Sequence, residues 1–255
     1  MKYGNRSIAR NFISLPSILS ILIISFLFIP ACSENNGWDH VQVILSRIVP
    51  PTFLENDFNI IDYGAKGDGK TDCSDAFKKA IEACYNAGGG RIVVTGGKYL
   101  TGAIHLKSNV NLYIARDAAI LFSKDIKKYL PVVFTRFEGV ECMNYSPFIY
   151  AYDQENIAIT GEGTLDGQAD HTGWWPWTGD PDDGWKKGNP HQKTDREALL
   201  RMGEEGVPVE KRVFGEGHYL RVNFIQPYKC KNILIEGISI KRSPCGRYTP
   251  YSVKM

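Results

Sequence analysis

The sequence predicts an all-β fold: a right-handed parallel β-helix (a solenoid) with a capping helix at its N-terminal end. Three observations carry this. First, a short unit recurs. Asn109-Val110-Asn111-Leu112-Tyr113-Ile114 leads to Ala119-Ile120-Leu121, Asn156-Ile157-Ala158-Ile159-Thr160-Gly161 to Thr164-Leu165-Asp166, and Asn232-Ile233-Leu234-Ile235-Glu236-Gly237 to Ile238-Ser239-Ile240. Each is an asparagine, an alternating strand, a corner and a second short strand. Second, from Arg91 onward strands of four to six residues follow one another with almost no helical spacing. Third, a single amphipathic helix precedes them.

A repeated strand–corner–strand unit is what a stacked solenoid needs, because each coil buries its apolar stripe only against its neighbours. Asparagine suits the corner. It tolerates the left-handed backbone region and can hydrogen-bond its equivalent in the next coil. The rival is an antiparallel sandwich with evenly spaced strands, and that needs hairpin signals, of which few are present.

The chain has 255 residues, 43% of them apolar and 23% charged, which excludes general disorder. A formal charge of +2 is too small for a nucleic-acid footprint. Residues 1–10 carry Lys2, Arg6 and Arg10 without an acid, and residues 18–29 are apolar apart from two serines. Twelve residues make roughly 18 Å of helix, short of a bilayer core of about 30 Å, so this is the proportion of a signal peptide. Ile29-Pro30-Ala31-Cys32 resembles a bacterial lipoprotein processing box. By that resemblance Cys32 is the lipid attachment site, and the protein is exported and tethered to a membrane surface, periplasmic or at the cell exterior. Plain secretion is the alternative. Without residues 1–31 the chain holds 27 basic and 28 acidic residues, net −1.

The mature chain then reads in order. Residues 32–55 form a tether, and residues 56–244 the β-helix. Phe58-Asn59-Ile60-Ile61-Asp62 is a first strand, and residues 63–72 are a glycine-punctuated loop. Thr71 or Asp72 caps the helix, whose apolar face is Ala76, Phe77, Ala80, Ile81 and Ala83-Cys84. Gly88-Gly89-Gly90 ends it. Cys73, Cys84, Cys142, Cys230 and Cys245 show no C-x-x-C spacing and are odd in number. Neither a metal knuckle nor a disulfide framework is supported, and no metal or cofactor is expected.

Phe58 to Ala65 followed by Gly67-Asp68-Gly69-Lys70-Thr71-Asp72 resembles the opening of the polygalacturonase-like proteins, glycoside hydrolase family 28. Gly88-Gly89-Gly90-Arg91-Ile92-Val93-Val94, Gly161-Glu162-Gly163-Thr164-Leu165-Asp166-Gly167-Gln168 and Ile225-Gln226-Pro227-Tyr228 extend the likeness over about residues 56–244. The resemblance implies an inverting hydrolase of uronic-acid polysaccharide such as pectin. One carboxylic acid protonates the leaving oxygen, and a second carboxylate roughly 6.5–9.5 Å away activates water. In the family these come from Asn-Thr-Asp and Asp-Asp segments, followed by Gly-His-Gly and Arg-Ile-Lys. The chain lacks these motifs, so it holds no catalytic residue and is expected to be inactive as it stands. Asp182-Asp183 is a proline-broken loop pair, and Gly217-His218-Tyr219 precedes a strand upstream of the expected site.

The segment from Gly167 to Gly217 is long enough to be functional. Trp174, Trp175, Trp177 and Trp185 are candidate sugar-stacking residues, or else pins that hold the loop to the solenoid wall. Arg221 is a candidate for meeting a uronate carboxylate, while Lys186 and Lys187 read as solvated charge. The expected partners are a pectic polysaccharide and a membrane reached through the lipid; nucleic acid and an obligate protein partner are not expected.

After Ser243-Pro244 the family pattern continues with Trp and His-Pro, whereas residues 245–255 carry no alternating strand. One allowed codon string for this tail, read one base earlier, spells Met-Trp-Glu-Ile-His-Pro-Val-Leu-Cys-Lys-Asn. The expectation is a one-nucleotide deletion, an out-of-frame tail and a solenoid truncated at its C-terminal end, prone to association. Two further function classes stand beside the hydrolase: a surface-tethered carbohydrate-binding β-helix without catalysis, and a β-helix polysaccharide lyase, which usually needs Ca²⁺.

Overall fold

The computed structural model describes residues 37–245. The signal peptide, Cys32 and tail residues 246–255 lie outside the described residues. The chain divides into two compact units, the first ending at Ile48. In the first, a 3₁₀ turn at Gly37–His40 runs into a short helix, α1 (Val41–Leu45), none of whose residues is buried. The stretch expected to be a tether is thus helical over these nine residues.

The second unit is a solenoid of five successive coils. Coil one has β1 (Asp57–Asn59) and β2 (Asp68–Asp72), followed by helix α2 (Ser74–Asn86). Coil two has β3 (Gly90–Val94), β4 (Gly97–Thr101) and β5 (Ile104–His105). Coil three has β6 (Val110–Ile114) and β7 (Ala118–Phe122), then an excursion with β8 (Val133–Phe137) and β9 (Val140–Asn144), then β10 (Ile149–Tyr152). Coil four has β11 (Glu155–Gly161) and β12 (Thr164–Asp166). A second, longer excursion follows with α3 (Gln192–Glu204) and β13 (Val213–Phe214), and the coil closes on β14 (Ile225–Tyr228). Coil five has β15 (Lys231–Ile235) and β16 (Ser239–Lys241).

Corresponding strands stack in parallel as β1-β3-β6-β11-β15, β2-β4-β7-β12-β16 and β5-β10-β14. The register explains why the apolar alternation is needed. Phe58, Ile92, Leu112, Ile159 and Ile235 line up coil over coil. So do Tyr99, Ile120, Leu165 and Ile240 on the second sheet. Side chains alternate sides along a strand, so each row points inward throughout. Ile92, Leu112, Ile120 and Leu165 are fully buried, while Ile235 and Ile240 on the fifth coil are half-buried.

The predicted asparagine corners form. Asn109, Asn156 and Asn232 have φ of 62°, 53° and 53°. Asn156 Nδ2 donates to Asn109 Oδ1 at 3.0 Å, and Asn232 Nδ2 to Asn156 Oδ1 at 2.6 Å. At the next corner Gly161 has φ +110°, and a Cβ there would stand 2.1 Å from the Ile114 carbonyl oxygen.

Ala76, Phe77, Ala80, Ile81 and Cys84 of α2 are buried in the main core, as the helical spacing predicts. The N-cap position falls to Cys73, which makes no side-chain capping bond, rather than to Thr71 or Asp72; Asp72, one residue earlier, accepts from Ser74 N through Oδ1 at 3.0 Å. The first strand is shorter than the reading of residues 58–62. It stops at Asn59, whose Oδ1 accepts from Ile61 N and turns the chain into a 3₁₀ turn at Ile60–Tyr63. Part of the glycine loop instead pairs as β2.

The two excursions between the second and third sheets depart most from a plain solenoid. β8 and β9 are antiparallel, and β13 adds to β9 in parallel. Helix α3 lies over them. Phe137, Cys142, Leu199, Phe214 and Leu220 close a second small core between the excursions. Cys73, Cys84, Cys142 and Cys230 are buried free thiols and Cys245 is half-buried. Burial pushes the Cys84 thiol up to about 11 and the Cys142 thiol up to about 12.

Candidate functional site

The tryptophan segment is positioned by a strained turn. Trp174 has φ +65°, a costly value for a bulky residue, and Trp175–Thr178 is a 3₁₀ turn with a proline at its start and Gly179 at φ +73° closing it. The Thr178 hydroxyl donates to the Trp175 carbonyl at 3.0 Å, and Lys193 Nζ reaches the Gly179 carbonyl at 3.0 Å.

The four tryptophans end up in different environments. Trp174 is 2% exposed and packs edge-on against Tyr129 at 5.4 Å and Phe148 at 5.6 Å. No sugar can stack on a ring so enclosed, so Trp174 is a pin and its candidacy as a stacking residue is corrected by its burial. Trp177 is half-buried and continues the aromatic chain outward, 5.0 Å from Trp174, 5.1 Å from Tyr219 and 6.2 Å from Tyr145. Trp175 is half-buried, and its Nε1–H donates to the Ser243 carbonyl at 3.0 Å. Trp185 stands apart from this group, half-buried on its own turn, with Nε1–H to the Asn189 carbonyl at 2.9 Å and its ring 5.4 Å from His191.

Arg221 joins Trp175 at the last described segment. Its Nε donates to Gln192 Oε1 at 3.0 Å and its Nη1 to the Pro244 carbonyl at 3.0 Å. These bonds clamp the lobe to the fifth coil. A guanidinium has five N–H donors, and these bonds use Nε and Nη1. Lys186 and Lys187 are exposed. Asp182 and Asp183 lie in a 3₁₀ turn at Pro181–Asp183, after the Asp180 cap.

Helix α3, which sequence periodicity did not show, supplies what the sequence reading missed. Its first turn aims Gln192 at Arg221 and Asp195 at the chain opposite. Asp195 Oδ1 pairs with His218 Nδ1 at 2.8 Å, and Oδ2 accepts from Tyr219 N at 2.6 Å. The spacing of Gln192 and Asp195, three residues apart, places both on one helix face. The outcome is a wall of Trp177, Tyr219, His218 and Arg221, backed by Tyr145 and the buried aromatic core.

A second polar pair lies elsewhere. His105 Nε2 sits 2.9 Å from Ser146 Oγ, but that hydroxyl is 1% exposed and donates to the Pro147 carbonyl at 2.9 Å, so His105 is the donor and the pair is structural. Among the described residues no group of three or more His, Cys, Asp or Glu side chains is placed to hold a metal ion. No helix among them is long and apolar enough to cross a membrane.

The parallel β-helix that carries this wall is shared with known proteins. The solved exopolygalacturonase of Thermotoga maritima superposes with a TM-score of 0.81 at 51% identity, over 83% of this chain and 47% of that one. The chain is similar to the polygalacturonase-like glycoside hydrolases of family 28. A probable polygalacturonase of Vitis vinifera is 33% identical over 126 residues, which cover 46% of this chain and 25% of that protein. An exo-poly-alpha-D-galacturonosidase of Dickeya chrysanthemi is 31% identical over 163 residues, 61% of this chain and 25% of that protein. A family profile described as rhamnogalacturonase A/epimerase, pectate lyase-like, matches residues 58–113. The chain spans a quarter to about half of the length of these relatives.

Proposed function

We propose that this protein engages pectic or related uronic-acid polysaccharide; by its likeness to glycoside hydrolases of the polygalacturonase type the associated reaction is inverting hydrolysis with two carboxylates, and these 255 residues do not supply that pair. The observation that carries this reading is the likeness at 51% identity to an exopolygalacturonase. Residues 167–224, with Trp177, Tyr219 and Arg221, supply the kind of surface a sugar chain uses. Aromatic faces pack on the apolar faces of pyranose rings, and a guanidinium pairs with carboxylates.

The chemistry needs an acid on the leaving oxygen and a base on water at the opposite ring face. The Asn-Thr-Asp motif is missing from the 255 residues, and the Asp182-Asp183 pair lies on a surface turn. The chain by itself therefore binds its polysaccharide and does not cleave it. Co-sedimentation with polygalacturonate and reducing-sugar release, run on the same sample, test both halves. Binding without new reducing ends is expected. Robust turnover refutes the inactivity, and absence of binding refutes the substrate.

The aromatic wall also favours a second reading, a glycan-binding β-helix without catalysis. Gain of turnover when a segment carrying the Asn-Thr-Asp and Asp-Asp motifs is appended separates it from the first. The processing-box resemblance at Ile29-Pro30-Ala31-Cys32 supports a lipid on Cys32 and a place at a membrane surface. Metabolic labelling with a radioactive fatty acid, lost in Cys32→Ala, is the expected result; an unlabelled wild-type chain contradicts it.

A further inference from the structure

Between Trp38 and Ile48 the first unit carries an apolar stripe that the hydrolase reading leaves without a task. Trp38 is 77% exposed, Ile44 54%, Leu45 53% and Ile48 54%. The backbone keeps a helical course through them. The 3₁₀ turn at Gly37–His40 runs into α1, and beyond α1 the Ser46, Arg47 and Ile48 N–H groups donate to the Gln42, Ile44 and Leu45 carbonyls at 3.0, 3.0 and 3.1 Å. At that pitch Trp38, Val41, Ile44, Leu45 and Ile48 share one side. Gln42, Ser46 and Arg47 lie on the other, with Val43 as the apolar residue among them.

A helix this short is marginal in water by itself and gains its stability from packing one face. Yet no residue of α1 is buried, so the stripe stays uncovered among the described residues. Its place in the chain says what covers it. Cys32, the proposed lipid attachment site, precedes Trp38 by six positions. Six residues reach at most about 22 Å even when fully extended, so a lipid on Cys32 keeps the stripe close to the bilayer. Tryptophan, which heads the stripe, is enriched at membrane–water boundaries. No helix among the described residues is long and apolar enough to cross a membrane, so the fitting arrangement is one that lies on it. Charge does not draw the segment there. Residues 33–48 hold Glu34 and Asp39 against Arg47, so they offer no basic cluster to anionic headgroups.

We propose that the stripe of Trp38, Val41, Ile44, Leu45 and Ile48 is a lipid-binding surface that lies in the plane of the bilayer interface. Its apolar side rests on the acyl boundary, and Gln42, Ser46 and Arg47 stay in water. This rests on the lipid reading at Cys32 and extends it from a point of attachment to a face of the folded chain. A lipid by itself is a tether that leaves the following segment free to turn. A stripe in the interface adds apolar burial to that of the lipid and fixes which side of the segment meets the membrane.

The test uses the full chain, produced in a bacterium and reconstituted into phosphatidylcholine vesicles. The difference in emission between wild type and Trp38→Phe isolates Trp38 from the other tryptophans. Bromine on the acyl chains quenches indoles that touch them, and this difference signal is expected to fall about twofold or more. Single cysteines introduced as Gln42→Cys, Val43→Cys, Ile44→Cys and Leu45→Cys are then treated with a membrane-impermeant maleimide. All four positions are exposed in the protein itself, so a segment held in water reacts alike at each. On vesicles Ile44→Cys and Leu45→Cys are expected to react about tenfold more slowly than Gln42→Cys and Val43→Cys, because only the first two lie on the stripe. Equal rates at the four positions overturn the inference. So does a Trp38 signal untouched by bromine, and if the stripe cysteines are nevertheless slow, the occupant is a protein surface such as a second copy of the chain. Fatty-acid labelling of the same samples reads the lipid separately. Label with equal rates removes the stripe and leaves the Cys32 reading standing; quenching and protection without label support the stripe and remove the Cys32 reading.

Discussion

Replacing Trp174 with alanine separates the two roles open to the tryptophan segment. The indole is 2% exposed and lies against Tyr129, Phe148 and Trp177, with ring centroids at 5.4, 5.6 and 5.0 Å. Its Nε1–H is buried without a partner, so truncation breaks no hydrogen bond, and alanine inherits the same left-handed backbone at φ +65°. What is lost is packing. Emptying a buried tryptophan site costs about 3–5 kcal/mol. For a domain of this size that lowers the melting temperature by roughly 6–20 °C. Trp177→Ala removes a half-buried ring and costs about 1–2 kcal/mol. Thermal denaturation of both variants, with polygalacturonate binding measured well below either midpoint, gives the comparison. The expected pattern is large destabilisation with modest binding loss for Trp174→Ala, and the reverse for Trp177→Ala. A Trp174→Ala chain that melts within about 2 °C of wild type but no longer binds would refute the reasoning.

Three other outcomes follow from the fold. Asn156→Ala breaks both rungs of the asparagine ladder and leaves alanine at φ 53°, so it should cost about 2–3 kcal/mol, whereas Asn156→Gly keeps the backbone relaxed and should melt between it and wild type; equal melting of the two variants contradicts this. Gly161→Ala puts a Cβ 2.1 Å from the Ile114 carbonyl oxygen and should leave little soluble protein; normal yield and melting contradict the coil spacing. Acid should unfold the chain as Asp68, Asp72 and Asp166 are protonated. Backbone and hydroxyl bonds from Thr71 hold Asp68 at about 2. Burial raises Asp72 and Asp166, but bonds from Lys128 and Ser74, and from Arg242 and Gln168, outweigh it and leave both below the ordinary carboxylate value. Each folded-state value is depressed, so the stabilisation is present above about pH 4 and is lost as pH falls toward 2. Asp166→Asn should flatten the slope of stability against pH in that window, and an unchanged slope argues against the Arg242 pairing.

The solenoid was legible because its signals are local and repeated. An asparagine corner, a two-residue alternation and the helix face from Ala76 to Cys84 are each written in neighbouring residues, and stacking then fixes their register. The lobe was not legible, for a physical reason. β8 and β9 form a local hairpin, but β13 pairs with β9 from 70 positions away, and the small core of Phe137, Cys142, Leu199, Phe214 and Leu220 exists only once both excursions meet. Helix α3 buries only Gln192 and Leu199, so it lacks a broad apolar stripe to read. The same gap hid the site. The cluster Trp174-Trp175-Pro176-Trp177 stands out in the sequence, yet nothing in it tells that Trp174 turns inward while Trp177 faces outward. His218 looked like a rim residue because its partner Asp195 lies 23 positions away on that unseen helix.

If the lobe of this β-helix holds a pectic chain against Trp177, binding must depend on that ring. The binding isotherm of the purified chain on polygalacturonate, wild type against Trp177→Ala, measures this dependence. Saturable binding by wild type and a loss of about tenfold in the variant are expected, the value of one aromatic contact at the upper end of its range. Identical isotherms, or no binding by wild type, show that the lobe does not hold the polysaccharide in this way.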